Sequence, residues 1–398
     1  MLSQMMSRIS ESGTMRMAAE AINLRSQGYE IINLGVGEPD FNTSDFIKNA
    51  AKDALDKNLT HYTLNRGIKE LRDVICNWLK AEFNVEYSSD EIIISNGAKQ
   101  AIFNTILALV SPGDEVIIPT PCWPTYIELI KAVGAIPVLL KTGLENNFKI
   151  SPEQLKSALS EKTKALVFSN PSNPTGMTYD GAELKGLVDV LKDTNVFILS
   201  DEIYSKLIYD NCPFDSVGIY REVLKDRIIL FQGVSKAFAM TGWRLGFAAG
   251  PREVIKACDI IQGHATSSVS SISQYAAVAA FSGPQNDVIK MRTQFDERRK
   301  FVMQYLKKIP GMKFIKPDGA FYFFPKIDAF YGISPDGTEI KNSTDLALYI
   351  LRNAQVSVVP GQGFAAEHYL RISYANSLSQ LEKGLKAIKR TLDQIKRK

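Results

Sequence analysis

The segment EIIISNGAKQAIFNTILALVSPGDEVIIP (residues 91–119) contains two short apolar runs, EIIIS and EVIIP, separated by an amphipathic stretch. Neither run alternates polar and apolar residues, which is typical of strands that are buried on both faces of a sheet. Further runs of this kind lie at 135–140, 164–169, 196–200, 227–230 and 246–250. This alternation predicts an α/β fold in which helices flank a mainly parallel, seven-stranded sheet.

A second domain is expected because 398 residues are more than one hydrophobic core usually supports. After about residue 290 the pattern changes to a long charged helix, short strands such as AFYFFP and YLRISYA, and a terminal amphipathic helix. We therefore predict a large α/β domain over 48–290. A smaller α+β domain would combine the N-terminal segment 1–47 with 291–398.

The charge balance excludes some classes of partner. Lys and Arg number 47 against 43 Asp and Glu, a formal net charge of +4. Proteins that bind nucleic acids or membrane surfaces cluster their basic residues, and this small excess favours neither partner. The basic run from Lys386 to Lys398 is interpreted as a solvated helix face.

Cysteine usage and the N-terminal sequence indicate a reduced compartment. The cysteines at 76, 122, 212 and 258 contain no CxxC pair, so the sequence suggests neither a disulfide framework nor a zinc site. The opening residues MLSQMMSRISES lack the apolar core of a signal peptide, and no apolar run approaches the roughly 18 residues that span a bilayer. A cytoplasmic protein without a metal site is expected.

Three side chains that can carry chemistry directly follow predicted strands. Asn173 comes after KALVFS, Asp201 after VFILS and Lys236 after RIIL. Carboxyl ends of parallel strands share one rim of the sheet, where ligands bind, so these residues are expected to meet. Taken alone, Asp201 is better explained as the N-cap of a helix that starts near 202.

Lys236 lies in SKAFAMTGWRLG (235–246), a stretch too rich in small residues to form a simple helix. A lysine that forms an imine needs a partly desolvated position, and a nearby phosphate needs a fixed guanidinium and hydroxyl donors. Ser235 and Arg244 can supply those donors. A lysine and an arginine at this spacing are, by themselves, more often surface residues.

Two turns complete the pattern. NPSNPTG (170–176) predicts a rigid loop, and SNGAKQA (95–101) predicts a strand that turns into a helix whose first N–H groups can bind an anion. Gly35 and Gly37 resemble the start of a dinucleotide loop. The third glycine of that fingerprint would fall at position 40, which is Asp40, so a nicotinamide cofactor is excluded.

Together, SNGAKQA, NPSNPTG, SDEIY and SKAFAMTGWRLG resemble the fold-type I enzymes that use pyridoxal 5'-phosphate (PLP), and within them the class I aminotransferases of the aspartate aminotransferase family. The resemblance runs in order from about Asn33 to Ala375. It implies that PLP is held as a Schiff base on Lys236. The same amine would then move a proton between the substrate α-carbon and the cofactor.

The resemblance also implies how the cofactor ring is held. Asp201 is similar to the carboxylate that pairs with the protonated pyridine nitrogen, which makes the ring an electron sink. Tyr204 and Asn173 are similar to the donors to the phenolic oxygen. Trp123, in TPCWPTY, resembles the aromatic residue that stacks on the ring.

The remaining contacts implied by the family involve the phosphate and the substrate. Arg371, in YLRISYA, resembles the arginine that binds the substrate α-carboxylate, and Gly37 resembles the backbone position that closes over it. Without the family, Arg371 would be interpreted as an outward-facing charge on a strand. The implied phosphate ligands, which require a homodimer, are the backbone of Gly97, Ala98 and Lys99, the side chains of Ser235 and Arg244, and Tyr62 from a second subunit.

Substrate specificity depends on how a second carboxylate is held. The stretch HATSSVSS (264–271) contains no arginine, which the best-known aspartate aminotransferases use for this purpose. A subgroup of bacterial aspartate/prephenate aminotransferases resembles this chain more closely and uses a lysine and a threonine, here Lys99 and Thr14, near Ser12. Aspartate or glutamate is the expected donor and 2-oxoglutarate or oxaloacetate the acceptor, and the resemblance admits prephenate too. The alternative for Lys99 is a plain solvent-exposed helix residue.

Other functions remain open at this point. The expected reaction is a ping-pong transamination, but the same fold also supports PLP-dependent lyases and aminotransferases for aromatic or neutral amino acids. A ligand sensor built on this domain is a non-enzymatic alternative. Such a regulator needs a DNA-binding segment, and we expect no room for one before residue 30 or after 375.

Overall fold

The computed structural model of the protein describes residues 3–10, 13–335 and 337–397, with the backbone alone at positions 13–16, 18 and 397. The contacts predicted for Ser12 and for the side chain of Thr14 therefore lie outside the described residues. None of the helices in these ranges combines the length and apolar character needed to cross a bilayer.

Several helices begin at residues that satisfy their first free N–H groups. Ser151 Oγ accepts a hydrogen bond from Gln154 N at 3.2 Å, and Gln154 Oε1 accepts one from Ser151 N at 2.9 Å. Asp180 and Glu183 form the same reciprocal pair. The helices are α1 (Gly13–Ser26), α2 (Asp45–Asp56), α3 (Lys69–Phe83), α4 (Ala98–Leu109), α5 (Pro124–Ala132), α6 (Pro152–Ala158), α7 (Gly181–Leu191), α8 (Val234–Ala237), α9 (Arg252–Ala265), α10 (Ser271–Ser282), α11 (Asn286–Leu306), α12 (Ser343–Ala354) and α13 (Leu378–Leu392).

Strands β2 to β8 fall where the apolar runs predicted them, β1 was not predicted, and short strands follow in the C-terminal part. They are β1 (Ile32–Asn33), β2 (Ile92–Ser95), β3 (Glu115–Thr120), β4 (Ile136–Lys141), β5 (Thr163–Ser169), β6 (Phe197–Asp201), β7 (Ile228–Gly233), β8 (Gly246–Ala249), β9 (Tyr322–Phe323), β10 (Gly332–Ile333), β11 (Glu339–Ile340), β12 (Val356–Ser357), β13 (Val359–Pro360), β14 (Leu370–Ser373) and β15 (Lys396–Arg397).

The strands β2 to β8 form one sheet in the described part of the chain, in the order β2-β8-β7-β6-β5-β3-β4. The pairs between β7 and β4 are parallel, and β8 is antiparallel to both of its neighbours. The prediction of a mainly parallel, seven-stranded sheet is confirmed. The chain passes outward from β3 to β4 and returns on the other side as β5, so a ligand crevice is expected at the carboxyl ends of β3 and β5.

Apolar residues cover both faces of this sheet, which explains why its strands lack polar alternation. Ile92 and Ile94 of β2 point into one hydrophobic cluster, and Ile93 points into another on the opposite face. The first cluster contains residues from α3, α7 and α10, and the second contains residues from α4, α5 and α9. Side chains of a strand alternate between faces, so every residue of a central strand such as β2 or β7 is buried, whereas Ile136 and Leu139 of the edge strand β4 are exposed.

A third cluster joins the N-terminal and C-terminal parts of the chain. β1 pairs in parallel with β12, and Leu34 N donates to Ser357 O at 2.8 Å. The same cluster contains Ile203, Tyr204 and Leu207, which directly follow β6 of the large sheet. The segment after β6 is therefore packed into the core of the C-terminal part.

The basic C-terminal run is only partly helical. α13 ends at Leu392, and Lys396–Arg397 pairs with β10 as strand β15. Within the helix, Lys386 and Lys389 form ion pairs with Glu382 and Asp393, both at 2.5 Å. The interpretation as a helix face holds for the first half of the run and is wrong for the second.

Candidate active site

A cavity of ≈ 1080 Å³ opens at the carboxyl ends of the large sheet, next to the segment that carries β14. Residues separated by more than 300 positions in sequence meet in it, because both parts of the chain contribute to its walls. Tyr62 is not among them, and its side chain is 94% exposed. The predicted site residues that line the cavity are Gly37, Ala98, Lys99, Trp123, Asn173, Asp201, Tyr204, Ser235, Lys236, Arg244 and Arg371.

Lys236 follows β7 in the short helix α8, and its side chain enters the cavity. Its Nζ donates a hydrogen bond to Gly37 O at 2.5 Å. Burial lowers the pKa of Lys236 to about 8, although the carboxylates of Glu38 and Asp201 oppose this shift. A larger fraction of neutral amine is thus present near neutral pH, which is the form that attacks a carbonyl carbon.

This low pKa predicts a pH-dependent stability of the cofactor-free protein. A lysine that titrates at 10.5 when unfolded and at about 8 when folded binds fewer protons in the folded state between those values. Stability is therefore lost as pH falls through this window. Lys236→Met should raise the free energy of unfolding of the cofactor-free protein at pH 7 by roughly 3 kcal/mol at most, which is measured as a higher melting temperature. The gain should shrink towards pH 10, and an equal gain at both pH values would contradict the prediction.

Asp201 is the last residue of β6 and is 5% exposed. Its Oδ2 accepts a hydrogen bond from Tyr126 OH at 2.6 Å, and its Oδ1 accepts one from Ile203 N at 3.2 Å. Burial raises the pKa of Asp201, and the bond from Tyr126 opposes that shift. The chain forms turns rather than a helix after residue 201, so the interpretation as an N-cap is wrong.

Tyr126 was not singled out from the sequence, although it closes the quoted motif TPCWPTY. Its phenol is buried and reaches Asp201 from the first turn of α5. The motif contains the signal, but the spacing cannot show which side chain the phenol contacts. Trp123 begins the same turn, and its ring lies edge-on to Tyr126 with a centroid distance of 5.4 Å.

Arg371 lies on β14 and is 6% exposed, so the interpretation as an outward-facing charge is wrong. Its Nη1 donates to Asn173 Oδ1 at 3.0 Å, and its Nη2 donates to Gly35 O at 2.8 Å. The guanidinium stacks on the ring of Tyr322 with Cζ 4.4 Å from the centroid. These contacts fix the plane of the guanidinium in the cavity wall.

Tyr322 is a second residue that the sequence did not reveal. It lies on β9 and is fully buried, and its hydroxyl is 2.9 Å from that of Tyr204. Burial raises the pKa of both phenols, so both remain protonated donors at neutral pH. Tyr322 was quoted only as part of the strand AFYFFP. Four consecutive aromatic residues do not show which of their rings faces a site.

One end of the cavity is suited to an anion. α4 begins at Ala98, directly after Gly97, whose φ of +79° favours glycine. A Cβ at Gly97 would lie 2.6 Å from Arg244 Nη2, and one at Gly246 would lie 2.3 Å from Ala98 N. The free N–H groups of a helix N-terminus and the guanidinium of Arg244 thus face one small space, which is the usual setting for a phosphate.

Lys99 lies one residue further along α4 and projects into the wider part of the cavity. Its side chain is exposed to solvent, and its Nζ lies 4.9 Å from the centroid of the Trp123 ring. Partial burial and then the charge of Arg244 lower the pKa of Lys99. An ammonium group held over an aromatic ring is available to a second anionic group of a substrate.

The chemistry of these residues fits PLP. Among the described residues Asp201 is bonded to the phenol of Tyr126 and the N–H of Ile203 rather than to a cation, and a protonated pyridine nitrogen would provide an ion-pair partner. Lys236 presents an amine of lowered pKa for a Schiff base, and the start of α4 with Arg244 presents donors for a phosphate. Amine, carboxylate and anion site all face one cavity.

Comparison with known proteins agrees with this geometry. The chain is 42% identical over 396 residues to a Rickettsia conorii protein named "Probable aspartate/prephenate aminotransferase", covering 99% of each. It is 40% identical over 393 residues to the Bacillus subtilis aspartate aminotransferase, again covering 99% of each. The crystal structure of the Rhizobium meliloti aspartate aminotransferase matches with a TM-score of 0.96 at 38% identity, covering 99% of each chain.

The family model described as "Aminotransferase class I and II" matches residues 29–388, which includes all of the strands that border the cavity. Enzymes of the aspartate aminotransferase type in this family depend on PLP and transfer amino groups. The site geometry, the fold and the full-length sequence similarity all indicate the same family. The chain belongs to the class I and II aminotransferase family and is a PLP-dependent aminotransferase of the aspartate aminotransferase type.

Proposed function

We propose that this aminotransferase takes aspartate or glutamate as amino donor and 2-oxoglutarate or oxaloacetate as acceptor, with prephenate as a further acceptor. The observation that carries this proposal is the pair of cations in one cavity, Arg371 fixed in the wall and Lys99 over the Trp123 ring. A dicarboxylate presents two anionic groups to such a pair, whereas a neutral amino acid presents one. Relatives named for aspartate and prephenate support the choice.

Arg371 binds the substrate α-carboxylate in this proposal. Its two bonds to Asn173 Oδ1 and Gly35 O hold the planar guanidinium in one orientation, which suits two parallel bonds to a carboxylate. Gly37 lies on the same loop as Gly35 and closes over the carboxylate with its backbone. Asn173, which is bonded to Arg371, and Trp123 are the other proposed contacts of the bound substrate.

PLP supplies the electron sink that stabilises negative charge at the substrate α-carbon. Lys236 would hold the cofactor through its Nζ, and the same amine, once free, would take the proton from the substrate α-carbon. The lowered pKa of this amine places it close to the pH at which it must both accept and release a proton. The products of one half-reaction leave before the second keto acid binds, so the kinetics are ping-pong.

The other residues of the site hold and orient the cofactor in this proposal. Asp201 keeps the pyridine nitrogen protonated, and Tyr126 keeps Asp201 in place. Tyr204 and Asn173 would donate to the phenolic oxygen, and Trp123 would stack on the ring. The proposed phosphate ligands are the N–H groups of Gly97, Ala98 and Lys99, the side chains of Ser235 and Arg244, and Tyr62 of a second subunit.

The proposal includes a homodimer, and the position of Tyr62 supports it. The ring is 94% exposed and the neighbouring Leu64 is 62% exposed, although the loop that carries them is hydrogen-bonded to buried side chains. Exposed apolar side chains on a fixed loop are expected where a partner covers them. Tyr62 then reaches the cofactor phosphate of the second subunit.

Location and domain organisation complete the proposal. The four cysteines are free thiols, which supports a reducing, cytoplasmic compartment. The division into a large domain (48–290) and a small domain (1–47 with 291–398) is supported by separate hydrophobic clusters in the two parts. Tyr204 packs into the third cluster, so a movement of the small domain would change the position of Tyr204 at the cofactor site.

Replacing Lys99 by methionine should selectively lower the activity of the enzyme with dicarboxylate substrates. Loss of a hydrogen bond between two charged groups costs about 1.5–3 kcal/mol, so kcat/KM for aspartate and glutamate should fall roughly 10- to 100-fold. The values for alanine and phenylalanine should change little, because neither has a second carboxylate. Half-reactions with single amino acids, followed by the absorbance of the bound cofactor, measure these rates.

The matched control is Lys164→Met, since Lys164 also lies over an aromatic ring, that of Phe197, but outside the cavity. This variant should react like the unmodified enzyme with every amino acid. If aspartate and glutamate react no faster than alanine or phenylalanine in the unmodified enzyme, the proposed specificity is wrong.

A further inference from the structure

Gln262, on α9, is fully buried and uses both ends of its side-chain amide. Its Oε1 accepts hydrogen bonds from Ser95 Oγ at 2.7 Å and from Asn104 Nδ2 at 3.1 Å. Its Nε2 donates to Asn65 O and to Ile94 O, both at 2.8 Å. With two bonds accepted and two donated, the amide has one orientation and cannot rotate without leaving buried groups unpaired.

The acceptor end of Gln262 holds the turn that leads to the anion site. Ser95 is the last residue of β2, and Asn96 and Gly97 follow it before α4 begins. Asn104 lies within α4 itself and is fully buried. The strand end and the helix that enclose the Gly97 turn are thus both bonded to the same oxygen atom.

The donor end of Gln262 holds a different segment, the loop that carries Tyr62. Asn65 O, its acceptor, is three residues beyond Tyr62. The same loop is bonded to β2 through Ile94 N and Arg66 O at 3.1 Å. A Cβ at Gly263, the residue after Gln262, would lie 2.7 Å from Asn65 Nδ2, so the helix and the loop are in close contact.

A second buried glutamine fixes the loop from the other side. Gln274, on α10, accepts a hydrogen bond from Ile68 N at 2.8 Å and donates one to Thr63 Oγ1 at 3.0 Å. Unlike Gln262, it has no bond to β2 or α4 among its described contacts. Gln262 is therefore the glutamine that touches both the loop and the anion-binding turn.

We propose that Gln262 is a positioning residue that couples the two halves of the phosphate site across the dimer. Through Ser95 and Asn104 it sets the Gly97 turn for the phosphate in its own subunit. Through Asn65 it sets the loop that delivers Tyr62 to the phosphate in the partner subunit. This inference rests on the proposed function, in which Tyr62 crosses the subunit interface.

Mixed dimers separate the two effects. In the first mixed dimer, one subunit carries both Gln262→Met and Lys236→Ala, and the other subunit is unmodified. The single remaining Lys236 therefore belongs to the subunit whose own Gln262 is intact. In the second, Gln262→Met and the intact Lys236 are in the same subunit, and Lys236→Ala is in the other. The reference dimer carries Lys236→Ala in one subunit and no other change. Borohydride traps PLP on Lys236, and the fluorescence of the trapped product is measured against PLP concentration.

Both Gln262→Met dimers should need about tenfold more PLP for half-saturation than the reference dimer, because each loses the fixed position of one half of the phosphate site. Gln262→Glu should weaken PLP binding in the first mixed dimer, since it keeps the size and the acceptor oxygen but cannot donate to Asn65 O. Circular dichroism of each dimer verifies folding, and the glutamate variant serves if the methionine variant does not fold. Gln285→Met is the matched control, because Gln285 also donates to backbone oxygens, those of Ala280 and Gly283, away from the cavity.

The first mixed dimer decides the inference. If it binds PLP like the reference dimer, Gln262 does not act on the partner's site and the proposal is overturned. The homodimer with Tyr62→Phe tests the function on which the proposal rests, since this variant should also bind PLP more weakly. If Tyr62→Phe does not change PLP binding, the proposed cross-subunit contact is wrong. If Tyr62→Phe weakens PLP binding and the first mixed dimer binds PLP normally, only the proposed coupling through Gln262 is wrong.

Discussion

Lys236→Ala is expected to lower the rate of transamination by about 10⁴-fold or more, because one substitution removes both the attachment point of the cofactor and the base that moves the α-proton. The cavity and the anion site at the start of α4 remain, so PLP should still bind, without the covalent link. Single-turnover mixing with aspartate, followed by cofactor absorbance and by product analysis, measures the remaining rate.

The control for this variant is Lys185→Ala. Lys185 is exposed on α7, where it forms an ion pair with Asp189 at 2.5 Å, and it does not line the cavity. It should keep full activity and bind PLP normally. Turnover by Lys236→Ala at a rate near that of the unmodified enzyme would show that another group carries the proton, and the assignment of Lys236 would be wrong.

Asp201→Asn is expected to lower kcat by roughly 10²- to 10³-fold. The asparagine has nearly the same shape and can still accept the hydrogen bond from Tyr126 OH, but it has no charge with which to keep the pyridine nitrogen protonated. Removing one partner of a buried charge pair typically costs about 3–5 kcal/mol, and here the cost falls on the charge that the ring must accept as the α-proton leaves. Stopped-flow measurement of the half-reaction with aspartate or glutamate gives the rate.

The comparison variant is Asp193→Asn, since Asp193 is exposed in the turn between α7 and β6. It should react at the normal rate. The effect of Asp201→Asn should also appear as a changed absorbance spectrum of the bound cofactor, because the ring nitrogen loses its proton. A spectrum and a rate that both match the unmodified enzyme would show that Asp201 does not pair with the nitrogen.

Much of the fold could be predicted because its signals are local. The seven apolar runs became β2 to β8, with ends displaced by at most a few residues. The prediction of a strand that turns through Asn96 and Gly97 into a helix was also correct, because a glycine with φ of +79° ends a strand in a way that few other residues can. The turn after β6 was predicted less well, since an aspartate after a strand caps a helix in many proteins.

The sequence predicted many of the residues that line the site but did not predict which side chains contact each other there. Eleven of the residues singled out from motifs line one cavity, and their roles in catalysis stay predictions. Tyr126 and Tyr322 were missed, although both lie in quoted stretches. A phenol can bond to a carboxylate, to another phenol or to water, and nothing in the neighbouring sequence distinguishes these partners.

The sequence by itself determined which segments become buried strands and where a strand turns through Asn96 and Gly97 into a helix, and it predicted which amine, carboxylate and guanidinium carry the chemistry. These properties depend on residues within a few positions of one another. Only the tertiary structure decided that Arg371 faces inward to Asn173, that Tyr204 packs into the core of the C-terminal part, and that Gln262 joins β2 to the loop of Tyr62. Those contacts join groups more than 100 residues apart, and such groups meet only when the whole chain closes into a core whose shape no short segment specifies.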